Sequence, residues 1–332
     1  MIKTDNLRVL VITSEWPTLD HPESVPFLVR EVESLRQLGL TIDVFSFRGA
    51  MNPINYFQAW SRLRRYLKKE KYDLYHAQFG QSGLLAILPK LKPLVVTYQG
   101  SDLNGMYALN GKLTFPGFLL RAVSQWVALF ADEIILVSGY LAKYLPRKRY
   151  EVIPGGIDLS LFSPISKELA KKQLGLANDV RYVLFAGGIN NPIKRFELAK
   201  TAIDLVPTSE RVQILLANGI APTKMPIYMG AADALLVTSS REGSPNVIKE
   251  ALACNLPIIS VDVGDVRSRL EKVQGCIVCS DDTPETIAKA ILSVLKANEP
   301  INGRDVVQEL ELSVIAQKIV NVYHRALARD IE

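Results

Sequence analysis

The sequence has few cysteines, few histidines and no long apolar run. Its 332 residues include three cysteines and three histidines, which excludes a disulfide framework. Cys276 and Cys279 have no further ligands nearby in sequence, so we interpret them as core thiols rather than zinc or redox groups. No apolar run reaches the roughly 18–20 residues that span a bilayer. The amino terminus runs into a predicted strand without a cleavable leader, and we therefore expect a cytoplasmic protein.

Two further absences narrow the function. No GxGxxG motif follows the first predicted strand, which excludes the dinucleotide-binding fingerprint of dehydrogenases. The net charge is only +5 and no recognised nucleic-acid module accompanies the basic residues, so we expect no nucleic-acid partner. Hydrophobic residues make up 48% of the chain and charged residues 22%, which is enough for one core in each of two domains of about 150 residues.

Apolar runs and helical repeats alternate along the chain. This alternation predicts an α/β protein with doubly wound, mostly parallel sheets. The predicted strands are Leu7–Thr13, Thr41–Phe47, Asp73–Ala77, Leu94–Tyr98, Glu133–Val137, Tyr182–Ala186, Asp233–Thr238, Pro257–Val261 and Cys276–Cys279. The predicted helices include Phe27–Leu38, Tyr56–Lys71, Phe115–Phe130 and Leu312–Ala328.

The segment Ala231–Asp265 has the pattern strand, loop, helix, strand. Ser244 suits the N-cap of its helix and Pro245 suits the first helical position. Glu242 lies at the carboxyl end of the first strand, where open α/β sheets bind ligands, and Glu250 lies in the helix. Free N–H groups at the helix start favour an anion such as a diphosphate, whereas the two carboxylates favour hydroxyl partners. A nucleotide sugar offers both kinds of group.

Within that segment, the string EGSPNVIKEALACNLPIIS resembles the signature of glycosyltransferase family 4, retaining enzymes with the GT-B fold. The resemblance implies two Rossmann-like doubly wound domains facing a central cleft. Residues 1–155 would bind the acceptor and residues 156–310 the nucleotide sugar. The boundary falls in the turn-rich stretch Ile153–Asp158, and residues 311–332 would form a last helix that crosses back to the first domain.

The resemblance also implies roles for residues of the second domain. Lys194 aligns with the family lysine that holds the donor diphosphate, and Glu242 begins the loop that holds the donor sugar. These two are the expected catalytic residues, with no metal and no cofactor. Gly188 stands where the family has a partner arginine. The expected donor-binding residues are Glu250, which would hold the ribose hydroxyls, and Gly243, Ser244, Pro245, Asn246, Arg195, Gly187 and Asn218.

Three stretches of the first domain resemble the family with substitutions. TYQGSDL keeps Ser101 and Asp102 but has Gln99 in place of a histidine, and YHAQFG keeps His76. These four are the expected acceptor- or sugar-side residues. Asp102 equally suits capping of the next turn, and His76 equally suits a structural role at a strand end. Ser24–Pro26 stands where the family often has a Gly-rich turn, so the backbone would approach a phosphate less closely there.

The expected function is transfer of a sugar from a UDP- or GDP-sugar to a hydroxyl of a saccharide or lipid-linked acceptor, in cell-surface polysaccharide or glycolipid synthesis. An epimerase would need acid and base groups that three histidines scarcely supply, and a pyridoxal-dependent phosphorylase would be far longer. The alternative from another class is a non-catalytic GT-B partner of an active transferase. The substitutions at Gly188 and Gln99 suit such a partner, whereas the retained Lys194, Glu242 and Glu250 suit an enzyme.

The predicted helix Tyr56–Lys71 is basic and amphipathic. An apolar stripe lies opposite a cluster of six cations. Helices of this kind bind anionic membrane surfaces, so one expectation is peripheral binding at the inner face of the cytoplasmic membrane. A solvated outer face on a core-packed helix explains the pattern equally well. The cluster consists of Arg62, Arg64, Arg65, Lys68, Lys69 and Lys71.

Overall fold

The computed structural model describes residues 7–21, 24–49, 52–108, 111–297 and 299–330. The chain divides into two compact units: unit 1 is Met1–Gly156 with Leu312–Glu332, and unit 2 is Ile157–Glu311. The stretch before Leu7, on which the expectation about a leader depends, lies outside the described residues. Among the described helices, none is both long enough and apolar enough to cross a membrane.

Unit 1 is built on a six-stranded parallel sheet. Its strands are β1 (Arg8–Thr13), β2 (Thr41–Ser46), β3 (Leu74–Gln78), β4 (Leu94–Tyr98), β5 (Glu133–Leu136) and β6 (Glu151–Val152). Its helices are α1 (Pro26–Gln37), α2 (Pro53–Leu67), α3 (Leu84–Ile87), α4 (Ser101–Asn104), α5 (Phe115–Ala128) and, from the end of the chain, α13 (Leu312–Asp330). The strand order is β2-β1-β3-β4-β5-β6. The direction of winding therefore reverses between β1 and β3, and ligands of such sheets bind at the carboxyl ends of the strands beside that switch point.

Unit 2 repeats this plan with a five-stranded parallel sheet. Its strands are β7 (Arg181–Ala186), β8 (Val212–Ala217), β9 (Ala234–Val237), β10 (Ile258–Ser260) and β11 (Ile277–Val278). Its helices are α6 (Lys167–Leu174), α7 (Phe196–Asp204), α8 (Met225–Ala231), α9 (Asn246–Ala253), α10 (Val266–Leu270), α11 (Pro284–Ala297) and α12 (Gly303–Val306). The order is β11-β10-β9-β7-β8, which places the switch point between β7 and β9.

Both sheets confirm the predicted doubly wound α/β class. Each strand predicted from the sequence is present; β4 has the predicted bounds, and the others differ by one residue at one or both ends. The central strands are buried on both faces, and Val9, Leu10 and Ile12 of β1 are almost fully buried. Continuous apolar runs are what strands covered by helices on both sides require.

The prediction for α2 was wrong at both ends. The helix begins at Pro53 because the side chain of Asn52 accepts a hydrogen bond from the Ile54 N–H over 3.0 Å, and proline suits the first helical position. It ends at Leu67, so the three lysines of the basic cluster lie beyond it. The basic cluster is therefore divided between the last turn of α2 and the segment that follows.

Helices α5 and α13 each cover part of the core of unit 1. Helix α5 buries one face, which includes Val127 and Ala128, whereas Phe115, Phe118 and Trp126 are among its exposed side chains. The last helix, α13, packs against α1, β4 and β5 of unit 1. Tyr323 of α13 is fully buried there.

Candidate active site

The loops that follow β7 and β9 meet at the switch point of the unit 2 sheet. Lys194, from the loop after β7, places its Nζ 2.7 Å from Oε1 of Glu242, from the loop after β9. The exposed fractions of the two side chains are 26% and 18%, so water screens this ion pair only in part. The structure thus brings together the two residues that were predicted to be catalytic.

Hydrogen bonds and close packing hold these two loops to each other. The Ser240 N–H donates to the carbonyl of Ile193 over 2.9 Å, and Thr238 Oγ1 donates to the carbonyl of Lys194 over 2.7 Å. Gly187 has a φ of +147°, and a Cβ there would lie 3.2 Å from Cγ of Lys194. The glycine therefore lets the lysine chain lie against the backbone.

Arg195, predicted to bind the donor, has its charge engaged within unit 2. Its Nε donates to the carbonyl of Thr238 over 2.6 Å, and its guanidinium pairs with Asp282, which lowers the pKa of that carboxyl. The neighbouring Asp281 accepts the Thr283 N–H over 3.0 Å at the start of α11. The acidic pair Asp281–Asp282 therefore lies at the start of α11.

Gly188 lies in the loop after β7, and Asn218 lies next to it at the end of β8. A Cβ at Gly188 would meet no atom closer than 3.8 Å, and Oδ1 of Asn218 would lie 4.0 Å from it. Asn218 follows β8 and is exposed. Both residues therefore lie at the carboxyl ends of the strands, with open space beside them.

The prediction that Ser244 caps the helix after β9 was wrong. Helix α9 begins at Asn246 with Pro245 in the N-cap position and no side-chain cap. The Ser244 hydroxyl instead donates to Oδ2 of Asp265 over 2.8 Å, and Arg269 holds the same oxygen at 2.8 Å. An N-cap side chain accepts an N–H of its own helix, whereas this hydroxyl donates to a carboxylate in a charge-assisted hydrogen bond. That bond turns the Ser244 side chain toward the loop after β10.

The loop before α9 also rests on the backbone that follows β10. Gly264 has a φ of +59°, and a Cβ there would lie 2.7 Å from the carbonyl oxygen of Gly243 and 3.0 Å from that of Glu242. Any other residue would push this loop away. Gly264 and Asp265, which follow β10, therefore fix the position of the loop Glu242–Ser244.

Helix α9 presents predicted donor residues on one face and an unexpected lysine on the other. Asn246 and Glu250 are four residues apart and so lie on the same face. Lys249 is fully buried. Burial lowers the pKa of Lys249 to about 7, helped by the positive charge of Arg269 and opposed by Asp265 and Glu250. Lys249 therefore lies near Arg269, Asp265 and Glu250, in the same region as the predicted donor loop.

The cysteine pair shows the properties of core thiols. Cys279 is buried, Cys276 is half-buried, and both are free thiols. Burial raises the pKa of each thiol to about 11, so neither is a thiolate at neutral pH. Among the described residues, no group of three or more His, Cys, Asp and Glu side chains is arranged to hold a metal ion.

In unit 1, Asp102 organises the loops beside the switch point. Its buried carboxylate accepts the N–H groups of Gly80 at 2.9 Å, Gly100 at 2.7 Å and Gln99 at 3.1 Å. Burial raises the pKa of this carboxyl, and the backbone hydrogen bonds act against that rise. Asp102 thus ties the end of β3 to the end of β4, which is the capping role weighed from the sequence. Ser101, beside it, is exposed.

His76 is fully buried in a hydrogen-bonded network. Its Nδ1 lies 2.8 Å from the hydroxyl of Tyr323 in α13, and its Nε2 lies 2.7 Å from Oγ1 of Thr97. Burial lowers the pKa of His76 to about 3, so the ring is neutral. Both ring nitrogens are occupied and the ring reaches no solvent. The structure therefore places His76 in the structural role rather than on an acceptor surface.

A second chain of hydrogen bonds runs from the interior to Gln99. The buried Glu31 accepts Gln78 Nε2 over 2.6 Å, and Gln78 Oε1 accepts Gln99 Nε2 over 3.1 Å. Burial raises the pKa of Glu31 to about 7, and the hydrogen bond from Gln78 opposes that rise. The side-chain amide of Gln99, which is half-buried, is therefore oriented from inside the unit.

Sequence reasoning missed three charged residues of the site regions: Glu31 and Lys249, which are buried, and Asp265, which is half-buried. Glu31 interrupts the apolar stripe of α1 between Leu28 and Val32, and Lys249 lies at helical spacing with apolar residues of α9. A charged residue on an apolar stripe is buried with that stripe, and it needs a hydrogen-bond or ion-pair partner because burying a lone charge costs free energy. Asp265 follows the buried strand β10, as Glu242 follows β9, but no role was predicted for it.

Comparison with known proteins agrees with this geometry. The model of glycosyltransferase family 4 matches residues 3–161, and the model of glycosyl transferases group 1 matches residues 179–297. The chain is 27% identical to Bacillus subtilis TuaC, a protein assigned as a teichuronic acid biosynthesis glycosyltransferase, over 94% of each chain. It is 26% identical, over 59% of each chain, to the Escherichia coli UDP-Gal:α-D-GlcNAc-diphosphoundecaprenol α-1,3-galactosyltransferase.

Solved structures show the same fold. Sucrose-phosphate synthase from Thermosynechococcus elongatus matches with a TM-score of 0.78 at 18% identity, over 98% of this chain and 100% of that one. Anabaena HepE in complex with UDP and glucose matches with a TM-score of 0.73 at 16% identity, over 96% and 99%. Two family models, which together span both units, and two parallel-sheet domains of the GT-B type place this chain in glycosyltransferase family 4, among the group 1 glycosyltransferases.

Proposed function

We propose that this glycosyltransferase moves a sugar from a UDP- or GDP-sugar to a hydroxyl group of a saccharide or lipid-linked acceptor, with retention of anomeric configuration and without a metal. The observation that carries the proposal is the Lys194–Glu242 ion pair at the switch point of unit 2. An ammonium group suits a diphosphate, and a carboxylate suits a sugar hydroxyl. The pair therefore offers one group for each part of a nucleotide sugar.

The proposed reaction breaks the bond between the anomeric carbon and the diphosphate oxygen. The acceptor oxygen bonds to the same face of that carbon, and its proton passes to the departing diphosphate. Lys194 offsets the negative charge that develops on the leaving group. The uncapped first N–H groups of α9, next to Ser244, add the positive end of a helix dipole. Glu250, one turn further along, accepts the ribose hydroxyls.

The similar proteins support the kind of donor and acceptor. The Anabaena HepE structure contains UDP and glucose, and the name of the Escherichia coli relative specifies a UDP-sugar and a diphosphoundecaprenol-linked acceptor. The Bacillus subtilis relative is assigned to teichuronic acid synthesis. These names support a role in cell-surface polysaccharide or glycolipid synthesis. In this proposal Gln99 and Ser101 of unit 1 lie on the acceptor side, and the buried Asp102 holds their loop in place.

One observation favours the non-catalytic alternative. Arg195 is paired with Asp282, so in this conformation it does not replace the charge that is missing at Gly188. A binding partner that holds a nucleotide sugar without turning it over would keep Glu250 and tolerate that loss. Turnover of a donor sugar by the purified protein separates the two functions.

Nucleotide binding gives the first test of the donor site. We expect one of UDP, GDP and ADP to raise the thermal midpoint of unfolding, because a ligand at about 100 times its dissociation constant stabilises the folded protein by about 2.7 kcal/mol. The stabilisation should disappear in Glu250→Ala, which loses the partner of the ribose hydroxyls.

The matched control is Glu197→Ala, which removes an exposed glutamate from the neighbouring helix α7. It should keep the full nucleotide response. Absence of stabilisation by every nucleotide and nucleotide sugar would contradict the donor assignment, and stabilisation that survives Glu250→Ala would place the nucleotide elsewhere.

We also propose that the basic cluster binds an anionic membrane surface. Flotation with phosphatidylglycerol vesicles should retain the protein and lose it when four of its exposed cations become glutamates, since each contributes about 1 kcal/mol near such a surface. A control with the same charge change in unit 2 should still float, and equal flotation of both variants would remove the proposal. The first variant changes Arg64, Arg65, Lys68 and Lys69; the control changes Lys172, Lys200, Lys289 and Lys296.

A further inference from the structure

Unit 1 has an apolar groove open to solvent between α2 and α5. The groove encloses about 510 Å³, a volume typical of small-molecule sites. Its side chains are apolar or aromatic except for Gln81, and Phe57 and Leu88 are 66% and 54% exposed. Water thus covers large apolar side chains, which marks an interaction site rather than an ordinary surface.

The floor of the groove begins at the switch point of the unit 1 sheet. It is formed by the Gly80–Ile87 segment, which follows β3 directly. Gly80 donates to the Asp102 carboxylate over 2.9 Å, and Gln81 Nε2 donates to Oγ of Ser14, just after β1, over 3.1 Å. The groove therefore starts beside the residues that we place on the acceptor side.

The rim of the groove carries positive charge. The guanidinium of Arg64 lies 4.8 Å from the ring centre of Trp60, which lines the groove. Arg65, Lys68 and Lys69 follow and are exposed, but they line a separate pocket beside β2. Among the residues that the structure describes, none of these four cations has an ion-pair partner. An apolar ligand with an anionic group fits a rim that carries Arg64, whereas a second copy of the chain would bring two arginines face to face.

We infer that the groove holds the hydrocarbon chain of a lipid whose headgroup carries phosphate. This inference rests on the proposed function, because it makes the lipid-linked acceptor the substrate class that unit 1 selects. The hydrocarbon chain gains free energy by leaving water along apolar walls, and Arg64 at the rim selects a phosphate over a cationic headgroup. The glycosyl acceptor would then reach the Asp102 loop from the floor of the same groove.

The test uses 11-bromoundecyl phosphate, below its micelle-forming concentration, as a probe of the full-length protein. Bromine quenches tryptophan fluorescence at contact, and Trp60 lines the groove. We expect saturable quenching that is absent with undecyl phosphate and with 11-bromoundecyl trimethylammonium. Trp60→Phe should remove the quenched component. Trp126→Phe, which changes an exposed tryptophan of α5 outside the groove, should keep it.

Paired variants test the groove without touching its fluorophore. Leu88→Asp should weaken probe binding at least tenfold, because it places a carboxylate in the groove. Leu129→Asp changes a leucine that is 58% exposed at the end of α5 and should bind the probe as the parent does. Quenching that persists in Trp60→Phe, or equal weakening by both aspartates, would overturn the inference.

Two further readouts complete the test. The first distinguishes a lipid-filled groove from a protein face that only contacts a bilayer surface, and the second separates the groove from the donor site. Vesicle flotation without quenching by the monomeric probe would mean that the face meets a bilayer as a surface, and the inference would fall. Stabilisation by a nucleotide should be the same in Leu88→Asp and in the parent. If no nucleotide stabilises either protein while quenching persists, the donor assignment fails and the lipid groove stands.

Discussion

Replacing Lys194 by alanine is expected to lower kcat about 10²- to 10³-fold, the cost of removing one preorganised charge from a developing oxyanion. The lysine is held 2.7 Å from Glu242, so its ammonium is already in place before a donor binds. Release of nucleoside diphosphate from the donor identified by the nucleotide panel measures the effect. Donor affinity should fall less than kcat, because the charge on the leaving oxygen grows as the glycosidic bond breaks.

Lys200→Ala is the matched control for this experiment. It removes an exposed lysine from α7, a short distance along the same chain, and should leave turnover unchanged. Circular dichroism should show the same secondary structure in both variants. Normal turnover by Lys194→Ala would contradict the assignment and would mean that another group stabilises the leaving diphosphate.

Replacing Glu31 by glutamine is expected to stabilise unit 1 at pH 8 by on the order of 3 kcal/mol, because one pKa unit corresponds to about 1.4 kcal/mol. Burial raises the pKa of Glu31 from its ordinary 4.5 to about 7, so the folded state resists ionisation. At pH 4 the carboxyl is protonated in both states and costs nothing. As pH rises from about 4.5 to 7, the unfolded chain ionises first and the stability of the parent declines.

Urea unfolding at pH 4.5, 6 and 8 measures this difference. Trp16, Trp60 and Trp126 all lie in unit 1, so tryptophan fluorescence reports its unfolding separately. The glutamine can still accept the hydrogen bond from Gln78, which isolates the charge. Glu33→Gln, at an exposed position of the same helix, should show no comparable gain with rising pH. A stability difference that shrinks toward pH 8 would show that Glu31 ionises freely in the folded protein.

The sheets could be predicted from the sequence because their strands are apolar runs, and a run of this kind is visible without knowledge of its neighbours. Contacts between residues at the ends of different strands are harder to predict from the sequence. Lys194 and Glu242 lie 48 positions apart and meet only because β7 and β9 are adjacent in the sheet. The family resemblance suggested their roles, but their contact follows from strand order.

Local signals failed where a distant group competed for the same side chain. Ser244 has the residue type and position of an N-cap, yet Asp265, from another strand end, takes its hydroxyl. The start of α2 shows the opposite case, because Asn52 and Pro53 are a local start signal that the apolar repeat obscured. Contacts such as that of His76 with Tyr323, 247 positions away, have no local signal at all.

That last contact bears on how the chain folds during synthesis. Domains generally fold as units while the chain emerges, the amino-terminal one first. Here the amino-terminal unit includes α13, which the ribosome makes after all of Ile157–Glu311. Until then Nδ1 of His76 lacks the Tyr323 hydroxyl, and the surfaces of α1, β4 and β5 that α13 covers remain open. The carboxyl-terminal unit is thus complete first, and the unit that begins the chain is the last to close.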